Sequence, residues 1–114
     1  MIKIKSGLSK IWYNIIMRNS LQKIREVIGQ NKKLLEFSYK VKNIGIFGSY
    51  AKGHAHKGSD IDILVDFYEV PDMFKFVELE DFLKKLLGKK VDLVTRRALK
   101  PFIKSDILKE TIYL

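Results

Sequence analysis

The sequence predicts an α/β domain in which helices pack on one small mixed β-sheet. Three observations carry that prediction. Apolar residues recur at helical spacing from Leu21 to Phe37, from Met73 to Leu87 and from Phe102 to Leu108. Between these stretches lie β-prone runs at Val41–Phe47, Asp60–Phe67 and Lys90–Thr95. The chain has 114 residues, enough for one hydrophobic core and too few for two.

The helices have recognisable ends. Ser20 is a suitable cap for a first helix whose stripe is Leu21, Ile24, Ile28 and Leu35, widened by Val27, Leu34 and Phe37. Gly29 weakens that helix by about 1 kcal/mol relative to alanine. Asp72 caps a helix carrying Met73, Phe76, Val77, Leu79, Leu83, Leu86 and Leu87, and Gly88 ends it. Pro101 opens a last helix with Phe102, Ile103, Ile107 and Leu108, which runs out at Ile112-Tyr113-Leu114.

The strands carry the polar features. Gly48-Ser49 breaks the first strand, and Tyr50-Ala51-Lys52 can start a short helix that Gly53 ends. From Asp60 onward alternation is strict, with Ile61, Ile63, Val65 and Phe67 on one face and Asp60, Asp62, Leu64 and Asp66 on the other. In the third strand Val91 and Leu93 share a face opposite Asp92 and Val94.

Composition narrows the classes. Lys plus Arg number 22 against 13 Asp plus Glu, a net charge of +9. Such an excess attracts nucleotides, nucleic acid or an acidic protein without choosing among them, and a solvated lysine-rich surface explains it equally well. The basic residues Lys84, Lys85, Lys89, Lys90, Arg96 and Arg97 have no interleaved aromatics to stack bases, so nucleic acid is the minority reading. Cysteine is absent, which excludes disulfides and thiolate metal sites and fits a reducing cytoplasm.

Near the start, Asn14 interrupts the apolar cluster Ile11–Met17 and Arg18-Asn19 ends it. A secretory signal needs about 7–15 apolar residues and a cleavage site. A membrane span needs roughly 20. Neither is expected. Residues 1–16 read either as a short amphipathic extension or as sequence preceding a true start at Met17.

The chemistry concentrates in Gly48–Phe67. Asp60 and Asp62 project the same way from one strand, and like charges that close repel unless a cation sits between them. Mg²⁺ is suited to that place, taking one or two carboxylates and completing its shell with water and phosphate oxygens. Asp92 lies within the apolar run Val91–Val94, where a charge needs a partner. If the two strands are adjacent, three carboxylates converge, enough for a pair of ions. Gly48 permits close backbone approach, Ser49 adds a hydroxyl, and Lys52 and Lys57 can balance polyphosphate charge. Each signal alone has a plainer explanation: a turn, a solvated strand edge, or a structural ion pair. His54 and His56 read as exposed loop imidazoles, Asp66 as a strand-end residue and Tyr113 as a packing residue.

In order and spacing these residues resemble the minimal nucleotidyltransferases of the DNA polymerase beta superfamily, the small proteins paired with a HEPN-domain partner. That pattern is Gly-Ser, ten residues, Asp-x-Asp, and a third aspartate on the next strand. Gly48, Ser49, Asp60, Asp62 and Asp92 match it, and Lys89–Leu114 is similar throughout. Lys52 stands where many relatives have arginine. The resemblance runs from about Met17 to Leu114, so a single nucleotidyltransferase domain is expected over 17–114. It implies a polymerase-beta-type fold and Mg²⁺-dependent transfer of AMP from ATP to a hydroxyl, releasing pyrophosphate. Asp60 and Asp62 would then hold both metal ions, and Asp92 would bind the catalytic one. It also implies the acceptor, a tyrosine of a HEPN ribonuclease toxin, which makes the chain an antitoxin that assembles with its partner. Two alternatives stay open: an antitoxin that only masks its partner, and an enzyme that tails nucleic-acid ends.

Overall fold

A computed structural model of the chain describes residues 20–56 and 58–114. The expected extension at 1–16, the boundary at Met17 and the side chain of Lys57 lie outside the described residues.

Residues 20–30 form helix α1 and Lys32–Tyr39 form α2. The interruption falls at Asn31, not at Gly29. The Asn31 side-chain amide donates to the Val27 carbonyl at 2.8 Å, while its backbone N–H shifts to the Ile28 carbonyl at 3.0 Å. The side chain thus takes the acceptor that an unbroken helix would give to the backbone. Then follow β1 (Val41–Phe47), α3 (Gly48–Lys52), β2 (Ile61–Phe67), α4 (Met73–Leu87) and β3 (Val91–Thr95). A 3₁₀ turn at Arg96–Ala98, α5 (Pro101–Glu110) and β4 (Ile112–Tyr113) complete the order.

The strands form one mixed sheet in the order β3-β2-β1-β4. The β1–β2 and β1–β4 pairs are antiparallel and β2–β3 is parallel. Helix α4 makes the parallel crossover, and its ends are well defined. Asp72 accepts from the Lys75 N–H at 2.8 Å, and Gly88 closes the helix in the left-handed region at φ 65°. Glu80 on α4 accepts from the Leu93 N–H at 3.3 Å, which ties the outer strand to its own helix.

Ile46, Ile61, Ile63 and Val65 are fully enclosed with Ile28, Leu35, Leu79 and Leu83. The buried residues of α2 are Leu35 and Tyr39, and those of α4 are Leu79 and Leu83, each pair four residues apart. Each helix therefore buries one narrow ridge against a sheet only four strands wide. For that reason Leu34, Phe37, Met73 and Val77, expected in the core stripes, are exposed. Leu64 is buried although it shares a face with the aspartates.

The C-terminal residues do not simply run out. Ile112 pairs with Ile46 and Tyr113 with Gly45, and the Leu114 N–H donates to the Ile44 carbonyl at 2.9 Å. Tyr113 is exposed within this short strand, contrary to the packing role expected of it. Gly45 makes the pairing possible, because a Cβ there would lie 2.6 Å from Thr111 Cγ2 and 3.0 Å from the Ile112 carbonyl. Gly45→Ala is expected to lower stability by about 1–3 kcal/mol, read from the urea midpoint, because the backbone carbonyl cannot yield as a side-chain tip can.

Candidate active site

Topology decides where the polar residues meet. Because β1 and β2 are antiparallel, β1 ends where β2 begins, and Phe47 lies opposite Asp62. Because β2 and β3 are parallel, both start at the same end of the sheet, and Asp62 is in register with Asp92. Gly48, Asp60, Asp62 and Asp92 are thereby gathered at one end of the sheet from three separate strands.

Gly48 holds the tightest contact. It stands in the left-handed region at φ 70°, and a Cβ there would overlap the Asp62 carboxylate. The absent side chain makes room for Asp62, so the Gly-Ser turn lies directly against a carboxylate. Ser49 is half-buried at the start of α3, and its carbonyl accepts from the His54 N–H at 2.8 Å. Tyr50 is buried, and its hydroxyl accepts from Lys89 Nζ at 3.1 Å. Ahead of β2 the His56 N–H donates to Ser59 Oγ at 2.9 Å. The Ile61 N–H then donates to the Lys90 carbonyl at 2.9 Å and locks β2 beside β3.

The electrostatics are those of crowded anions. The pKa of Asp62 is raised, first by its burial, then by Asp92, by Asp60 and by Glu110. Asp60 and Asp92 are exposed at the rim. Among the described residues no three Asp, Glu or His side chains are drawn together tightly enough to hold an ion. The donor set nonetheless suits a hard divalent cation: oxygen ligands only, mutually repelling, with two of the three carboxylates in solvent and free to turn. Lys52 pairs with Glu110 at 3.2 Å. Asp66 caps its own strand end, accepting from the Phe67 N–H at 3.1 Å. It lines, with Leu64, Arg96 and Tyr113, a cleft of about 510 Å³ that contains none of the three aspartates.

Sequence reasoning missed Glu110. Its carboxylate accepts from the Gly48 N–H at 3.1 Å and pairs with Lys52, although it follows Gly48 by 62 positions. No motif marks it, since a glutamate near the end of a charged helix is ordinary. Only the return of the chain along β1 brings it to the turn.

A glycine turn set against carboxylates at one end of a mixed sheet is an arrangement suited to a class of protein that handles phosphate groups. Comparison with known proteins makes the class specific. Residues 21–114 match the nucleotidyltransferase domain family, and the chain belongs to it. It is similar to a Methanocaldococcus jannaschii protein provisionally named a protein adenylyltransferase, with 52% identity over 96 residues, covering 83% of this chain and 98% of the relative. It is also similar to the protein adenylyltransferase MntA of Thermococcus cleftensis, with 45% identity over 95 residues, covering 83% and 96%.

Among solved structures, one provisionally named a minimal nucleotidyltransferase has a TM-score of 0.68 at 30% identity, covering 86% of this chain and 95% of that one. A toxin–antitoxin complex with AMP-PNP has a TM-score of 0.63 at 31% identity, covering 75% and 69%. A complex of MNT antitoxin with tri-AMPylated HEPN toxin from Shewanella oneidensis has a TM-score of 0.55 at 25% identity, covering 85% and 70%. The chain is a nucleotidyltransferase with the polymerase-beta-type fold of the minimal members.

Proposed function

We propose that this nucleotidyltransferase moves AMP from ATP, with Mg²⁺, onto a tyrosine hydroxyl of a HEPN-type ribonuclease toxin, and that it acts as the antitoxin of that partner in the cytoplasm. The observation that carries the reading is the placement of Asp62 between Gly48 and Asp92 at one end of the sheet. The names of the relatives, which include a protein adenylyltransferase and the antitoxin of a complex with an AMPylated HEPN toxin, supply the donor and the acceptor class.

In this reading Asp60, Asp62 and Asp92 hold the metal, which when bound neutralises phosphate charge and polarises the reacting phosphorus. The Ser49 hydroxyl binds a terminal phosphate, with Lys52 and Lys57 balancing its charge. The acceptor oxygen bonds to the α-phosphorus, the bond to the bridging oxygen breaks, and pyrophosphate leaves. The Asp92 carboxylate, exposed at the rim, takes the acceptor proton. In-line transfer of this kind asks a protein mainly to position groups and neutralise charge. In this reading part of the acceptor site comes from the partner.

The test is incubation with α-labelled ATP, Mg²⁺ and the product of the adjacent gene. Label is expected on the partner, and Asp60→Asn/Asp62→Asn is expected to remove it. Full neutralisation of the toxin by that double variant, with no label transferred by wild type, would favour an antitoxin that only masks its partner. Label on RNA or DNA ends would favour a tailing enzyme.

A further inference from the structure

The two oxygens of one carboxylate reach both ends of α3. Glu110 Oε1 accepts from the Gly48 N–H at 3.1 Å, and Oε2 pairs with Lys52 Nζ at 3.2 Å. The backbone carrying Glu110 is itself held to the strand that leads into Gly48. Thr111 donates its N–H and its hydroxyl to the Ile107 carbonyl, at 3.1 and 2.6 Å. Ile112 then pairs with Ile46, immediately ahead of the turn. Gly48 is therefore gripped from two sides, by Asp62 over its Cα and by Glu110 on its N–H.

A glycine in the left-handed region has no side chain to restrict it, so a fixed acceptor on its N–H directly restrains its orientation. We infer that Glu110 is a positioning residue, holding the Gly48-Ser49 turn at the distance from Asp62 that a bound triphosphate needs. This assignment rests on the transferase reading above. The backbone hydrogen bond, not the ion pair, does the positioning. Lys52 is half-exposed, and a surface pair of that kind contributes little in solvent.

The test uses the full chain with Glu110→Ala and Glu110→Gln. Glutamine keeps an acceptor oxygen for Gly48 and loses the charge facing Lys52. Alanine loses both. Two quantities are read: the KM for ATP and for the partner protein under Mg²⁺, and the hydrogen-exchange rate of the Gly48 amide by NMR without nucleotide or metal. Glu110→Ala is expected to raise the KM for ATP about tenfold and to speed Gly48 exchange by a similar factor, as loss of one hydrogen bond predicts. The KM for the partner is expected to stay near wild type, and the melting temperature to fall by only several degrees, as loss of one hydrogen bond from a domain of this size predicts. Glu110→Gln is expected to restore both readouts to within about threefold.

Unchanged Gly48 exchange in Glu110→Ala would overturn the assignment, as would equal impairment of the two variants. Tighter ATP binding by Glu110→Ala would also overturn it, since Glu110 would then be a competitor for the phosphate seat. A wild-type chain that labels no partner would overturn the transferase reading and the catalytic meaning of Glu110 together. The exchange rates report the restraint on Gly48 without any activity.

Discussion

Asp62→Asn is expected to lower adenylyl transfer by about a thousandfold or more while making the metal-free protein harder to unfold. Both effects follow from the same crowding. Asp62 is half-buried, and its pKa is raised by burial and by Asp92, Asp60 and Glu110. A carboxyl whose pKa is higher folded than unfolded favours the folded state while protonated. That advantage is present at low pH and is lost as pH rises from the ordinary aspartate value through the raised folded value. Without metal, wild-type stability should therefore fall across that interval, and the fall should shrink in Asp62→Asn. Thermal unfolding in EDTA between pH 3.5 and 7 measures it. Adding Mg²⁺ should raise the melting temperature of wild type and leave Asp62→Asn nearly unmoved, because an ion that binds only the folded state stabilises in proportion to its occupancy. Equal Mg²⁺ stabilisation of both proteins would show that the ion binds elsewhere.

Gly48→Ala is expected to cost about a hundredfold in activity and about 2 kcal/mol or more in stability. Two terms contribute. A residue with a side chain at φ 70° is strained, and the new Cβ overlaps the Asp62 carboxylate and must push it away from its neighbours. Gly53→Ala separates the terms, since Gly53 is also left-handed at φ 73° but nothing lies within 4 Å of its would-be Cβ. It should lose only the strain, about 1 kcal/mol, and keep most of its activity. Combining Gly48→Ala with Asp62→Ala should restore part of the stability, because the clash needs both groups. Additive losses in stability would show that the overlap is relieved at no cost.

What could be read from the sequence follows the range of the forces involved. Ile61, Ile63 and Val65 announced a buried face by alternation alone. Asp72 and Gly88 announced the ends of α4, because capping involves residues within one turn. The break at Asn31 was not legible, since it depends on one side chain taking a carbonyl four residues back in competition with the backbone. The exposure of Leu34, Phe37, Met73 and Val77 was not legible either, because an apolar stripe does not say how wide its partner surface is.

The same division runs through the site. The sequence by itself determined which carboxylates the site has: Asp62 in one strand with Asp60 just ahead of it, Asp92 in another, and a Gly-Ser break after the strand before. Those are local facts, set by residue type and a two-residue repeat. Only the tertiary structure decided that Gly48 makes room for Asp62, that Asp62 and Asp92 share a register, and that Glu110 closes the turn from the far end of the chain. These contacts cross 14, 30 and 62 positions respectively. Strand pairing alone brings such residues together, and its register is set by the burial of whole faces, not by any residue in the site.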